Sequence, residues 1–331
     1  MDPAVVDILR CPKTGDHLRW MTSQELARES SHTERTWTAG VTTPDGATSY
    51  PFENGIFALL PDMAGKKRDV QQFYDEVGWK RDGADQPFGD AELFEDLRDV
   101  SRDYIAACHR RVNRHLTRPG RYIVDVASGP VQYADYLAYG EGFDYRICID
   151  LSRAALAAAR DKLGDRGIYI LGDITNLPLR ASSVDAVISL HTIYHVPADE
   201  QATAFCELER ILKPGRTGVV VYAWDEPLLT RALLLPAWPL RKLARTIRKL
   251  RGTEPLYFHP HTYDWFTRRE WPFSARVLTW RSLSVLPMRA YVHDQLGGRT
   301  LLRGVEMLEE RFPELMGRIG HYPLIVLEKT S

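Results

Sequence analysis

The chain has 331 residues, 44% of them hydrophobic, with 43 basic and 44 acidic side chains. That length points to roughly two units with a substantial core, and the near-zero net charge argues against an overall field built to attract nucleic acid or an anionic membrane. Cys11, Cys108, Cys148 and Cys206 are far apart and form no C-x-x-C pair, which argues against a disulfide framework and a tetrahedral zinc site. The start MDPAVVDILRCPKTGD is acidic where a secretory signal is basic, and no run of about 18 apolar residues occurs, so a cytoplasmic protein without an integral membrane segment is expected.

Residues 1–62 predict a module of short strands and turns, punctuated by Pro12, Thr14-Gly15, Asp45-Gly46 and Asn54-Gly55. Residues 63–118 predict a helical cap, with apolar residues at helical spacing in DVQQFYDEVGW and again in AELFEDLRDVSRDYIAACHRRVNRHL, a second helix stopped by Pro119-Gly120. From residue 119 to 331 the rhythm changes. RYIVDV, YRICID, IYILGD, VDAVISL and TGVVVYAW are short apolar runs separated by helical stretches, the pattern of a doubly wound, mostly parallel sheet in an α/β fold. SARVLTWRSLSV and YPLIVLEKT predict two closing strands, with a helix over LLRGVEMLEERF between them.

Ligands of such a sheet sit at the carboxyl ends of its strands. The first run ends in Asp125 and enters Ala127-Ser128-Gly129-Pro130, the second ends in Asp150, the third in Gly172-Asp173, the fourth in Leu190-His191. An acid or glycine after a strand is an ordinary turn residue when taken alone. Here acids recur at the βαβ spacing, which points to a shared site. The dinucleotide fingerprint G-x-G-x-x-G is absent, and Asp125 at the loop entrance would repel a pyrophosphate while attracting an amino or sulfonium cation.

This ordered set, from about Tyr122 to Trp224, resembles the class I S-adenosylmethionine-dependent methyltransferases, in the superfamily that includes ubiquinone and menaquinone biosynthesis. "VDVASGP" stands in the place of the acidic first loop and "CIDLSRAALAAAR" in that of the second strand end and helix. "LGDITNLPLRASSVDAVISLHTIYHV" is similar to the adenine-side acid and fourth strand, and "ELERILKPGRTGVVVY" to the helix, turn and fifth strand. The resemblance implies S-adenosylmethionine as cofactor. It places Asp125, Ala127, Ser128 and Gly129 around the methionine part, Asp150 at the ribose hydroxyls, and Asp173 with Ile174 at the adenine, where Leu151 or Ile174 offers an apolar surface to the base. Leu190 and Tyr74 join this cofactor set. Ala127 and Val131 stand where the family commonly has glycine, and a β-branched Val131 is not expected to take a positive φ. The N-terminal "DILRCP" and "YPFENGIFALLP" resemble a zinc-ribbon-like domain, degenerate here because Thr14 replaces the second cysteine, so no metal is expected.

On the acceptor side His191, Tyr194 and His195 follow the fourth strand and are the candidate catalytic residues, His191 first as base or orienting group. The expected reaction is methyl transfer, at an oxygen, to a small-molecule or lipid- or sugar-linked acceptor. The alternatives are a cofactor-fold scaffold or binding protein without catalysis and, less favoured, a nucleotide-dependent oxidoreductase. Past Trp224, the region of about 225–320 is expected to shape the acceptor site. Within it, residues 231–251 carry Arg231, Arg241, Lys242, Arg245, Arg248, Lys249 and Arg251 among leucines, a solvated helix face, a lid or a peripheral membrane contact. PLYFHPHTYDWF, with His259 and His261, is expected to form a pocket wall.

Overall fold

The computed structural model describes residues 2–33, 36–60, 65–80, 83, 88–225, 227–235 and 257–330. Arg241, Lys242, Arg245, Arg248, Lys249 and Arg251 of the basic segment lie outside the described residues, whereas Arg231 lies in a short helix.

Four short strands come first, β1 (Arg19–Trp20), β2 (Gly40–Thr42), β3 (Ser49–Glu53) and β4 (Ile56–Ala58), with α1 (Ser23–Thr33) after β1. Helices α2 (Lys66–Phe73), α3 (Gly89–Phe94) and α4 (Arg102–Asn113) follow. The apolar runs form β5 (Gly120–Val126), β6 (Phe143–Asp150), β7 (Gly167–Leu171), β8 (Val184–Leu190) and β9 (Leu212–Val221), crossed by α5 (Arg153–Leu163) and α6 (Gln201–Ile211). The chain closes through α7 (Leu228–Leu234), α8 (Tyr263–Thr267), β10 (Phe273–Arg281), α9 (Val285–Tyr291), α10 (Gly298–Arg311), α11 (Pro313–Ile319) and β11 (Tyr322–Lys329).

All eleven strands join one sheet in the order β1-β2-β3-β4-β7-β6-β5-β8-β9-β11-β10, parallel from β4 to β9 and antiparallel at both ends. Strand alternation fills both faces. Val124, Ile149 and Val187 enter one core, with α6 and the N-terminal Val5, Val6 and Leu9, while Ile123, Cys148 and Ile188 enter the other, with α4, Trp280 and Met288. Helix α5 starts where the Ser152 hydroxyl accepts the Ala155 N–H at 3.1 Å and stops at Gly164, whose φ of 54° suits glycine.

Two sequence expectations meet a different geometry. The N-terminal segment extends the main sheet: Ile56, Phe57 and Ala58 of β4 lie opposite Tyr169, Ile170 and Leu171 of β7. Its Cys11 thiol is buried 3.3 Å from the Tyr50 hydroxyl. Among the described residues no cluster of His, Cys, Asp or Glu could hold a metal. The second long helix is interrupted between α3 and α4, because two acids there are drawn inward. Asp96 accepts hydrogen bonds from Arg98 and from the Ser101 hydroxyl at 2.7 Å, and Glu95 pairs with Arg281 of β10. Helical periodicity treats such acids as solvent-facing.

Candidate active site

The loop after β5 takes a path that normally asks for glycines. Ala127, Gly129 and Val131 all have positive φ, 54°, 53° and 49°. Val131 thus adopts the conformation the sequence argued against, and it is held there by burial, at 1% exposure. Such a residue costs on the order of 1–2 kcal/mol, which the surrounding packing offsets. The loop is tied to the next strand: Ala127 and Ser128 donate to the Ile149 carbonyl, and Gly129 donates to Asp150 Oδ2 at 2.8 Å. Gly129 lies beneath Trp79, whose ring would be 2.8 Å from any Cβ there.

Two cavities open at this edge. One has an empty volume of about 1140 Å³ including open solvent, the other about 450 Å³, and both are lined by Val70, Ala127, Asp150, Leu151, Thr192 and His195. The smaller one continues along Val126, Ile149, Gly172, Asp173, Ile174 and Val196, a narrow apolar slot with a carboxylate at its rim. That slot fits a flat heterocycle. The larger one holds Tyr74, Asp125, Ser128, Leu190, His191 and Tyr194. The structure therefore gathers all the residues singled out for cofactor and catalysis except Gly129, which lies beneath the wall.

Their electrostatics differ from what spelling alone suggests. Asp125 does not present a free charge, because the buried Arg146 guanidinium pairs with it. Asp150 accepts the N–H groups of Gly129 and Ser152, one on each oxygen at 2.8 Å, and burial pushes its pKa up to about 6 despite them. Each oxygen keeps a further lone pair for a hydroxyl donor. Asp173 accepts the Thr175 N–H and hydroxyl and is bridged by Lys67 of α2 at 2.7 Å, which also reaches Glu200 at 2.5 Å. Gln71 donates to the Leu151 carbonyl at 2.6 Å, so α2 closes over the slot.

Burial favours the neutral form of His191 and His195. Burial lowers the His191 pKa well below its ordinary value, helped by the Arg281 charge, and lowers that of His195 to about 4. His191 has φ 60°, its Nδ1 lies 3.2 Å from the Tyr194 hydroxyl, and its ring meets Trp280 edge-on at 4.4 Å. The Tyr257 carbonyl, 2.7 Å from His195 Nδ1, can only accept, so the proton sits on Nδ1 and Nε2 keeps its lone pair. His259 and His261, expected as a pocket wall, line neither cavity. The His259 N–H donates to the Tyr194 carbonyl, and His261 stacks on Trp265 at 3.9 Å. They brace the loop from behind.

Sequence reasoning missed the far side of the larger cavity, made by Trp79, Asp90, Phe94, Glu95, Gln132, Tyr133, Tyr136, Arg281 and Tyr322. These come from five separate stretches. Their one local signal is chemical: acids and aromatics at positions where a surface helix would bury aliphatics.

Fold and site together define the class: this is a class I methyltransferase fold. Residues 124–220 match the family of methyltransferase domains. An uncharacterised methyltransferase of Geobacillus sp. (strain WCH70) is 30% identical over 67 residues, 20% of this chain and 32% of the relative. A sterol 24-C-methyltransferase of Gibberella zeae is 27% identical over 158 residues, 45% of this chain and 38% of the relative. The chain thus spans less than two fifths of the length of either. Among solved structures, geranyl diphosphate C-methyltransferase of Streptomyces coelicolor A3(2) superposes with a TM-score of 0.50 at 15% identity, covering 82% of this chain and all (100%) of that one. Phosphoethanolamine N-methyltransferase 2 of Haemonchus contortus gives 0.50 at 14% identity, covering 99% of this chain and 72% of that one. At these identities the likeness is one of fold.

Proposed function

We propose that the chain transfers the methyl group of S-adenosylmethionine to an oxygen of a small-molecule or lipid- or sugar-linked acceptor. The observation that carries this reading is the pair of confluent cavities at the strand ends, one a slot for a flat base and the other a chamber large enough for a second molecule. When bound, the cofactor supplies a methyl group already activated on a sulfonium. Asp150 then accepts the ribose hydroxyls on its remaining lone pairs, and Leu151 and Ile174 pack on the adenine. Asp173 lies at the base's polar edge, with Lys67 holding α2 closed over it.

The neutral state of His191 and His195 removes two cations that would repel a sulfonium. His191 and Tyr194 form a hydrogen-bonded wall that orients the acceptor, and positioning of this kind is the main requirement of an in-line displacement. The low basicity of His191 suits it for orienting rather than for proton removal. Among the described residues no helix is long and apolar enough to cross a membrane, and all four cysteines are free.

Calorimetry with S-adenosylhomocysteine tests the cofactor site: micromolar or tighter binding is expected, and none to nicotinamide dinucleotides. Absence of binding overturns the reading. A second reading, a binding protein without transfer, draws on the Arg146–Asp125 pair, which takes up a charge the cofactor's amino group would use. Under that reading homocysteine-form binding persists while no methyl group moves to any acceptor.

A further inference from the structure

The far side of the chamber carries polar atoms that the fold leaves unused. Asp90, on α3, lines the cavity and has no cationic partner among the described residues; its one hydrogen bond comes from Gln132 Nε2 at 3.0 Å. The other amide atom, Gln132 Oε1, is buried without a partner, and so is the indole nitrogen of Trp79. Asp90 and Gln132 thus bring a carboxylate and an amide oxygen without a partner to the wall of one chamber, and burying an unpaired acceptor is costly unless a ligand donates to it. Flat surfaces line the same chamber: Tyr74 and Trp79 stack at 4.8 Å with their planes 20° apart, and Tyr133 and Tyr136 also form part of its wall.

Resting on the methyltransferase reading, we propose that this chamber binds a flat, ring-bearing acceptor through its hydroxyl, and that Asp90 takes the hydroxyl proton while Gln132 holds the same group. The acceptor oxygen forms the new C–O bond as the sulfur–methyl bond breaks. That bonding pair returns to sulfur, and the O–H proton passes to the Asp90 carboxylate and then to water. Tyr74, which stacks on Trp79, lines the same cavity as Asp90 and Asp150.

Charge at the site suits this role. Burial raises Asp90 to about 6, and the neighbouring Glu95 pushes the same way, so the group is ionised at neutral pH and basic enough to accept a proton. From the other elements, Tyr194 and Tyr322 feel the Asp90 charge, and Arg281 is engaged by Glu95. His191 and His195 are weaker bases than Asp90.

The test uses the full chain saturated with S-adenosylhomocysteine and three matched probes. 2-Naphthol has the ring and the hydroxyl, naphthalene lacks the hydroxyl, and decahydro-2-naphthol lacks the flat ring. 2-Naphthol is expected to bind at least about tenfold tighter than the other two, and Asp90→Asn to remove that margin without moving the melting temperature or S-adenosylhomocysteine affinity. With S-adenosylmethionine, 2-methoxynaphthalene forms at a rate that rises through about pH 6; in Asp90→Asn the rate falls by about 10²–10⁴ and that limb disappears. Should Asp90→Asn fail to fold, Gln132→Ala carries the binding arm, with a tenfold loss expected. Equal binding of the three probes overturns the acceptor class, and an unchanged pH limb in Asp90→Asn overturns the proton role. Failure to bind S-adenosylhomocysteine overturns the underlying reading instead.

Discussion

The strand-end edge proposed for the cofactor and the far side of the larger chamber proposed for the acceptor are built on different plans. The strand-end edge is made from the ends of four consecutive strands, Val126, Asp150, Leu171 and Leu190, each delivering one loop at a position the parallel register fixes. The chamber is made from α3, the turn carrying Trp79, the Tyr133–Tyr136 segment, the end of β10 and the start of β11, which meet only after the sheet has formed. A site built from strand ends keeps its geometry when its loops vary. A chamber assembled from distant segments depends on the bonds that hold those segments together.

Breaking one of those bonds should therefore give the largest effect. Arg281 and Glu95 are both buried, at 1% and 6% exposure, and their ion pair joins β10 to the end of α3, with Arg281 also over the Trp280 and Tyr322 rings. Arg281→Ala leaves Glu95 buried and unpaired, and should cost about 3–5 kcal/mol. Urea unfolding checks this, and a loss below about 1 kcal/mol would mean that solvent reaches the pair. Adding Glu95→Gln to Arg281→Ala should recover part of the loss, because the uncompensated charge is gone.

On the other side, Asp150→Ala should leave the fold intact and weaken S-adenosylhomocysteine binding by at least about tenfold, since a carboxylate serving two hydroxyls is worth roughly 1.5–3 kcal/mol. The pH dependence has a definite sign. Asp150 has its folded pKa raised to about 6 from an ordinary 3.8, so the native state holds more protons than the unfolded chain between those values. Its contribution to stability is favourable at the acid end of that window and is lost as pH rises from about 4 to 6. Ligand binding runs the opposite way, because hydroxyl donors favour the ionised carboxylate. Affinity should rise by roughly tenfold from pH 5 to pH 7, and Asp150→Asn should flatten that rise. Calorimetry at the two pH values decides it.

The difference in plan also explains which part of the molecule sequence could disclose. Asp125, Asp150 and Asp173 each close an apolar run, so period and spacing brought them together before any coordinates. Asp90, Glu95 and Gln132 close nothing. Glu95 sits in a stretch whose helical periodicity treats an acid as solvent-facing, and only the fold of β10 onto α3 shows that it points inward. The parallel pairing of β5 to β9 follows from the βαβ rhythm, whereas the attachment of β4 to β7 does not, because three residues of edge strand carry too little pattern. Arg146 escaped notice for a related reason: it lies inside β6, where a charged residue is legible as a partner for Asp125 only once the two strands are known to be neighbours.

The smallest effects should come from the loop that follows β5, and there the sign carries the information. Ala127 and Val131 share the same left-handed conformation, with φ of 54° and 49°. Replacing Ala127 by glycine removes a strain of about 1–2 kcal/mol and adds roughly 0.5–1 kcal/mol of unfolded-chain entropy. Little packing is lost, since only a methyl group goes. A net gain of about 0.5 kcal/mol follows, near 1–2 °C in melting temperature for a chain of this size. Val131→Gly relieves the same strain but empties a buried position, with 1% of the side chain exposed, and loses about 2–3 kcal/mol of burial and packing. It should destabilise on balance. Opposite signs from one backbone geometry would show that strain in this loop is real and that packing holds it in place. If Ala127→Gly instead lowers the melting temperature, the left-handed path of the first loop is wrong, and with it the way Gly129 presents its N–H to Asp150.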